Sequence, residues 1–479
     1  MLAQAANFVF RIGSLMIMAR MLGPRDFGLV GMVTAFTGVL DLFRDFGLST
    51  ATVQRENVTE EQVSTLFWIN VLVGLILAGL VLLLAPVVVR IYHEPRLLPI
   101  TMLLSTGFIF NAFGVQHCAQ LQRQLRFTAL AIINVTALVT STLVGVTMAK
   151  LGFGYWALVG MTITIPLTTT VGVWIAAAWV PGPPRRQAGV RSLMRFGGTL
   201  TLNGLVVYIA YNMEKVLLGR FWGAEAIGIY GRAYQLIRTP TDNLNSSVGE
   251  VAFAALSRVQ NDPSRFRNYF LKGYSLVLAM TIPITMMCAF FAGDLIAVLL
   301  GPKWNSAAPI FSLLAPTILV LAMINPLGWL MFALGMVERS LKIALVLAPI
   351  VIAGYLAGLH YGPKGVAFGY SAVMILWLIP HTAWCIHGTP VSLRDIFVTV
   401  SRPLASGLMA ALIALGVHHL SLSFLPPLPR LLVEGTTLLG AYGGMLFYVM
   451  GQKDFYFDVL RGFRKRAPAV EEEKSLVPA

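Results

Sequence analysis

The stretch GIYGRAYQLIRTPTDNLNSSVGE, residues 228–250, sets Arg232, Arg238, Asp242 and Glu250 among amides and hydroxyls in a chain that is 57% hydrophobic and 12% charged. Read as a helix, it aligns Gln235, Arg238, Asp242, Asn245 and Ser246 in one stripe at spacings of three and four. The segment before it has the same habit. Asn203, Tyr208, Tyr211, Asn212, Glu214 and Lys215 spread over about half of a helical circumference. Near the N-terminus Asn7, Arg11 and Ser14 align, and Asp41, Arg44 and Asp45 are spaced so that the arginine can meet either carboxylate. Such faces offer hydrogen bonds and both signs of charge to water or to a polar solute.

A helix satisfies its own backbone inside a bilayer, but a charge near the midplane is costly unless it faces protein or water. These faces therefore cannot point at lipid. Two explanations compete. Ion pairs can fasten helices to one another, and the Asp41, Arg44, Asp45 spacing is sufficient for that. A water-filled cavity lined by all four helices accounts better for 235–246, where uncharged polar groups exceed what pairing needs. The in-span acids Asp41, Asp45, Glu214, Asp242, Glu250 and Glu434 are balanced by Arg11, Arg44, Lys215, Arg232, Arg238 and Arg402. Anion binding would thus depend on local arrangement.

Catalytic motifs are missing. There is no GxxxxGK[ST] phosphate loop, and GFGYWA (152–157) fits a dinucleotide fingerprint in letters only, since it lies in a turn between apolar helices with no preceding strand. The seven histidines show no HExxH and no Cys/His metal spacing. His418 and His419, at a helix end, read as interfacial. Cys118, Cys288 and Cys385 sit far apart in apolar segments and read as packing residues. No catalytic residue, metal or cofactor is expected. A membrane glycan enzyme is the rival class, but the external loops are short and carry only the acids Asp26, Glu94, Glu225 and Asp294.

The elements that must hold these faces are membrane helices. A mean hydropathy of +0.76 over 479 residues is too high for a soluble chain. Runs such as LFWINVLVGLILAGLVLLLAPVVV (66–89) are long enough to cross the hydrocarbon as helix. The first run, near 2–22, is interrupted by Arg11 and reads as a retained span, not a signal peptide. Thirteen plain apolar runs follow one another from 2–22 and 28–48 to 396–418 and 430–450.

An internal repeat adds the fourteenth. RMLGPRDFGLVG (20–31) and RFWGAEAIGIYG (220–231) match at a constant offset of 200, and LGFGYWAL (151–158) echoes YGPKGVAF (361–368). In the first copy a glycine-rich turn precedes the span 28–48, so the polar stretch from 228 is its equivalent. Fourteen spans put both termini on one side, and the excess of Lys and Arg in the loops of that side marks it as cytoplasmic. The expected organisation is an N-terminal bundle (1–180), a basic cytoplasmic linker (181–195), a second bundle (196–390), a C-terminal helix pair (391–450) and a cytoplasmic tail (451–479). The fold class is all-α and polytopic, with about 14 helices in two pseudosymmetric lobes around a central cavity. Thr59 and Gln62 form a capping box that opens the third helix, and the aromatic and basic tail 454–466 reads as lying on the anionic inner surface.

The stretches ARMLGPRDFGLVGM (19–32), RDFGLSTATVQRENVTEEQVSTLFWINVLVGL (44–75) and YNMEKVLLGRFWGAEAIGIYGRAYQLIRTP (211–240) resemble the Wzx-type polysaccharide flippases of the multidrug/oligosaccharidyl-lipid/polysaccharide transporter superfamily. More narrowly, they resemble the branch that exports lipopolysaccharide or capsule-type repeat units. The resemblance implies a multi-pass protein of the bacterial inner membrane. Its partners would be an undecaprenyl-pyrophosphate-linked oligosaccharide, membrane lipids and other polysaccharide assembly proteins, with no nucleic acid. Arg11, Asn212, Lys215 and Arg232 match polar residues of that branch, and Glu214 stands where an aspartate is more usual. On this reading Arg11 and Arg238 meet the phosphates, assisted by Lys215 and Arg232, because guanidinium donors pair with phosphate bidentately. Asn203, Tyr208, Tyr211, Asn212 and Asn245 meet sugar hydroxyls. Asp41, Arg44, Asp45, Glu214 and Asp242 serve as ion pairs or ion-coupling groups. Relatives on the same fold suggest cation-coupled multidrug efflux or peptidoglycan-precursor flipping as alternatives.

Overall fold

The structure, a computed structural model, describes residues 2–44, 52, 59–184, 191–421, 425–453 and 456. For residues 2–8, 191–204, 206, 207, 240, 242–248, 250, 251, 254, 337, 420 and 421 it describes the backbone alone. The chain is all-α among these residues. In chain order the helices are α1 (Leu2–Met21), α2 (Pro24–Asp41), α3 (Glu60–Tyr92), α4 (Leu97–Arg123), α5 (Phe127–Lys150), α6 (Trp156–Ala177) and the long α7 (Arg191–Arg258). There follow α8 (Pro263–Phe290), α9 (Ala292–Leu299), α10 (Ala307–Leu314), α11 (Pro316–Ala333), α12 (Val337–Leu359), α13 (Gly362–Ile386), α14 (Leu393–Ser421) and α15 (Pro427–Gly444). Nine helical stretches among the described residues are long and apolar enough to cross a membrane. This is a polytopic membrane protein.

Local sequence explains the boundaries. The Thr59 hydroxyl accepts from the Gln62 N–H at 3.3 Å while the Gln62 side chain accepts from the Thr59 N–H at 3.2 Å, the reciprocal cap that starts α3. Pro24 opens α2 at the position where its missing N–H costs nothing, and Asp26 accepts the Gly23 N–H at 3.1 Å. Inside α7 the backbone leaves helical geometry at Gly223 (φ 81°), a conformation that favours glycine. Gly23 and Gly223 are separated by the repeat offset, so each copy has one helix, a glycine break and a second helix. Taking the two arms of α7 separately, α10 with α11 as one rod, and leaving aside the eight-residue α9, the element order follows the expected fourteen spans. The weaker echo holds as well: Gly152 (φ 82°) and Gly362 (φ 67°) both take left-handed turns between helices.

Gly28 and Gly228 lie inside helices and serve packing. A Cβ on Gly28 would sit 1.7 Å from the carbonyl oxygen of Ala224, and a Cβ on Gly228 would sit 1.8 Å from that of Pro24. Pro24 and Ala224 are themselves repeat equivalents. Each copy's glycine therefore receives the carbonyl that lies four residues earlier in the other copy, the reciprocity of a two-fold contact. Gly31 extends the seat, where a Cβ would stand 3.0 Å from Ile227. Small residues permit such backbone approach between membrane helices.

The chain divides into two compact units. One comprises Met1–Ala233, Leu299–Ile310 and Ala344–Tyr370; the other comprises Tyr234–Val298, Phe311–Ile343 and Ser371–Ala479. The first unit keeps both copies of the glycine segment together. Within it α3 packs on α4, α4 and α5 on α6, and α1 on α5, with the Thr142 hydroxyl donating to that of Ser14 at 2.9 Å. The Trp68 indole donates to the Gly182 carbonyl at 2.9 Å, and the Gly182 N–H donates to Ser64 at 3.0 Å, pinning the start of the linker to α3. In the second unit α8 packs on α11 and α14, and α14 on α15, around a core that includes Phe270, Tyr274, Leu327, Trp329 and Tyr442.

Gly28→Ala and Gly228→Ala are each expected to destabilise the protein by about 1–3 kcal/mol by overpacking this seat. Because both act on one contact, the double variant should cost less than the two single costs combined. Thermal unfolding in detergent measures this, and strict additivity would contradict the reciprocal contact.

Candidate functional site

In the first unit the polar residues of α1, α2 and the first arm of α7 can be placed. Arg11 is exposed on α1, twelve residues before Gly23 and so about 18 Å along the helix from that turn. For the first span expected from the sequence, ~30 Å of hydrocarbon would put this position near the middle. Asp41 and Arg44 form an ion pair at 3.6 Å, both partly exposed. Asp45 lies outside the described residues, as does the side chain of Asn203.

Tyr208 crosses from α7 to α2, its hydroxyl reaching the Thr34 and Ala35 carbonyls at 3.2 and 3.4 Å. Gly38 makes room for it, since a Cβ there would fall 1.9 Å from the phenol oxygen. One turn on, Asn212 donates to the Tyr208 carbonyl at 3.0 Å and accepts from the Lys215 ammonium at 2.7 Å. The lysine is thereby held in place by an amide on its own helix. Glu214 is buried, close enough to Tyr92 and Tyr208 for its charge to act on both. The ring of Tyr211 meets Tyr370 edge-on at 6.4 Å, and Tyr370 stacks on Tyr355 at 5.6 Å.

The glycine seat carries a second group of contacts. The guanidinium of Arg232 lies 4.3 Å above the Phe27 ring, an arrangement in which the ring face attracts the cation. Phe27 packs edge-on against Trp304 at 5.3 Å. The Trp304 indole is fully buried and donates to the Ala19 carbonyl at 2.7 Å, satisfying one of the last carbonyls of α1.

In the second unit the later arm of α7 carries Gln235 and Arg238, the first half-buried and the second exposed. Thr239 donates to the Gln235 carbonyl at 2.7 Å. Gly249 lies against Trp329, where a Cβ would come within 2.8 Å of the indole nitrogen. Beside Thr241, a void with room for about one water is lined by Thr281, Asn325, Pro326 and Trp329. The side chains of Asp242 and Asn245 lie outside the described set, as do linker residues 185–190 and the tail beyond 456.

Sequence reasoning missed one polar group altogether. His418, read as interfacial, brings Nδ1 to 2.6 Å from Oε1 of Glu434, which is fully buried. Arg430 pairs with Asp294, read as an acid of an external loop but buried in the first turn of α9. The i, i+4 spacing of Arg430 and Glu434 on α15 was the available signal; their partners come from other helices. Nearer the opposite ends of α8 and α14, Arg267 grips both oxygens of Asp395, with Nε to Oδ2 at 2.7 Å.

A family model described as "Polysaccharide biosynthesis protein" matches residues 17–309. The chain is 28% identical over 371 residues to the lipopolysaccharide biosynthesis protein WzxC of Escherichia coli (strain K12), covering 75% of this chain and 74% of that one. It is also 28% identical over 309 residues to the teichuronic acid biosynthesis protein TuaB of Bacillus subtilis (strain 168), covering 62% of each. Its fold is similar to that of the lipid II flippase MurJ in an inward closed conformation, with a TM-score of 0.75 at 14% sequence identity over 94% of this chain and 98% of the other. At that identity the likeness is one of fold.

Tyr208→Phe removes a donor from two helix carbonyls and should lower stability by about 1 kcal/mol. Chemical unfolding in detergent checks it; unchanged stability would mean that the hydroxyl is not an α2–α7 tie.

Proposed function

The chain belongs to the polysaccharide biosynthesis protein family, and from that membership we propose that it flips an oligosaccharide repeat unit, carried on undecaprenyl pyrophosphate, across the bacterial inner membrane. The relatives act in lipopolysaccharide and teichuronic acid biosynthesis by their names, and the fold is shared with a flippase for another lipid-linked substrate. Both termini lie on the cytoplasmic side in this reading.

The observation that carries the reading is Arg11. It is exposed on α1, which this reading takes as the first span with Arg11 about halfway along it, and has no ion-pair partner among the described residues. A cation so placed is costly in lipid and is stabilised when it meets water or an anion. A pyrophosphate supplies that anion, and the fork of a guanidinium matches its oxygens. Arg238 shares the phosphate role, with Lys215 and Arg232 assisting, and the sugar-binding role is assigned to Tyr211, Asn212 and the ring of Tyr208, with Asn203 and Asn245 as further candidates from the sequence. The polyprenyl tail is soluble in lipid, so only the head needs shelter, in a cavity with a lateral opening between the two bundles. Alternating access follows from rocking of the 1–180 and 196–390 bundles about the 181–195 linker, with the Gly28–Gly228 seat closing one side. Asp41, Arg44, Asp45, Glu214 and Asp242 act as the ion-pairing or ion-coupling set.

In a deletion strain, undecaprenyl-linked repeat units should accumulate on the cytoplasmic leaflet; altered drug tolerance with normal surface glycan would instead indicate efflux. Arg11→Ala and Arg238→Ala should each reduce export at least ~10-fold, the loss of a charge-assisted hydrogen bond, with normal membrane insertion. Full export by both variants removes the assignment.

A further inference from the structure

The buried cluster at the meeting of α9, α14 and α15 has no part in the proposed transport path, yet it gathers ligand-type atoms. Asp294, His418 and Glu434 each present one donor atom, and the three lie within 4.8 Å of one another. Each comes from a different helix. Glu434 is 0% exposed and its Oε2 has no hydrogen-bond partner, so a buried carboxylate oxygen is left unsatisfied within the cluster. Such a group calls for a proton or a cation. Asp294 is gripped by Arg430 through Oδ1, leaving Oδ2 without a hydrogen bond among the described residues. That is how an outer arginine orients a ligating carboxylate.

We propose that Asp294, His418 and Glu434 form a binding site for a divalent transition metal of the zinc class. One imidazole nitrogen and two carboxylate oxygens are a donor set that such ions take, with an open fourth position. Half-exposed His418 (33%) provides the way in from solvent. Charge favours the ion: with the imidazole neutral, two carboxylates face one guanidinium, and the surplus negative charge is buried. The His418–Glu434 contact of 2.6 Å opens slightly to admit the metal between the two donors. A bound ion ties the α14–α15 hairpin to the short helix α9.

The test uses the full chain in lipid nanodiscs, stripped with a chelator and titrated with Co²⁺ as a coloured probe. One equivalent should bind with visible d–d absorption and be displaced by Zn²⁺. X-ray absorption of the unmutated protein loaded with Zn²⁺ should show one imidazole nitrogen with oxygen neighbours. His418→Gln and Glu434→Gln should abolish the colour, Arg430→Gln should weaken binding about 10–100-fold, and exposed His387→Gln should leave it intact. Absence of uptake by the unmutated protein overturns the proposal, and so does equal Co²⁺ binding by unmutated protein and the His418→Gln, Glu434→Gln double variant. The X-ray measurement decides the question even if a variant fails to fold.

Discussion

Hydrocarbon does not hydrate polar groups, and every feature of this protein answers to that fact. Backbone groups are satisfied inside helices, so the described chain is helical from end to end apart from its turns. Side chains have no such internal remedy. Where charge occurs inside the helical rods, the structure supplies a specific answer: an amide for Lys215, an aromatic face for Arg232, an acid for Arg430. Arg11 is exposed on α1 with no ion pair among the described residues, which is why the proposal rests on it.

The reciprocal seat of Gly28 and Gly228 has a different character. It involves no charge and no side chain, only backbone against backbone. Contacts of this kind have little tolerance for added atoms but involve no strong bond that must break on separation, since weak Cα–H···O contacts contribute modestly. Aromatic groups surround the seat: Phe27, Trp304 and the cation stacked on them.

Much of this was legible in the residue string. The offset of 200 gave the doubled architecture because equivalent helices must break and pack alike, and both Gly23 and Gly223 mark breaks. The Thr59 and Gln62 cap was readable because it is local. What the string hid was chemistry assembled across distance. The packing role of Gly28 and Gly228 was hidden because an ordinary helical glycine and one in a tight helix crossing are indistinguishable without the partner. Tyr208 was read as a sugar contact, and the tie of its hydroxyl to α2 carbonyls 174 and 173 residues away was not visible in the string. His418 and Asp294 looked peripheral because Glu434 and Arg430 reach them only after three helices have packed.

Trp304 completes α1 from 285 residues further along the chain. During synthesis the first membrane helix is made long before the indole that closes its last turn exists. Until then the Ala19 carbonyl must rely on water, lipid headgroups or a temporary neighbour. That one hydrogen bond of α1 therefore forms only after a turn 285 residues downstream has been made, although the two ends belong to one compact unit.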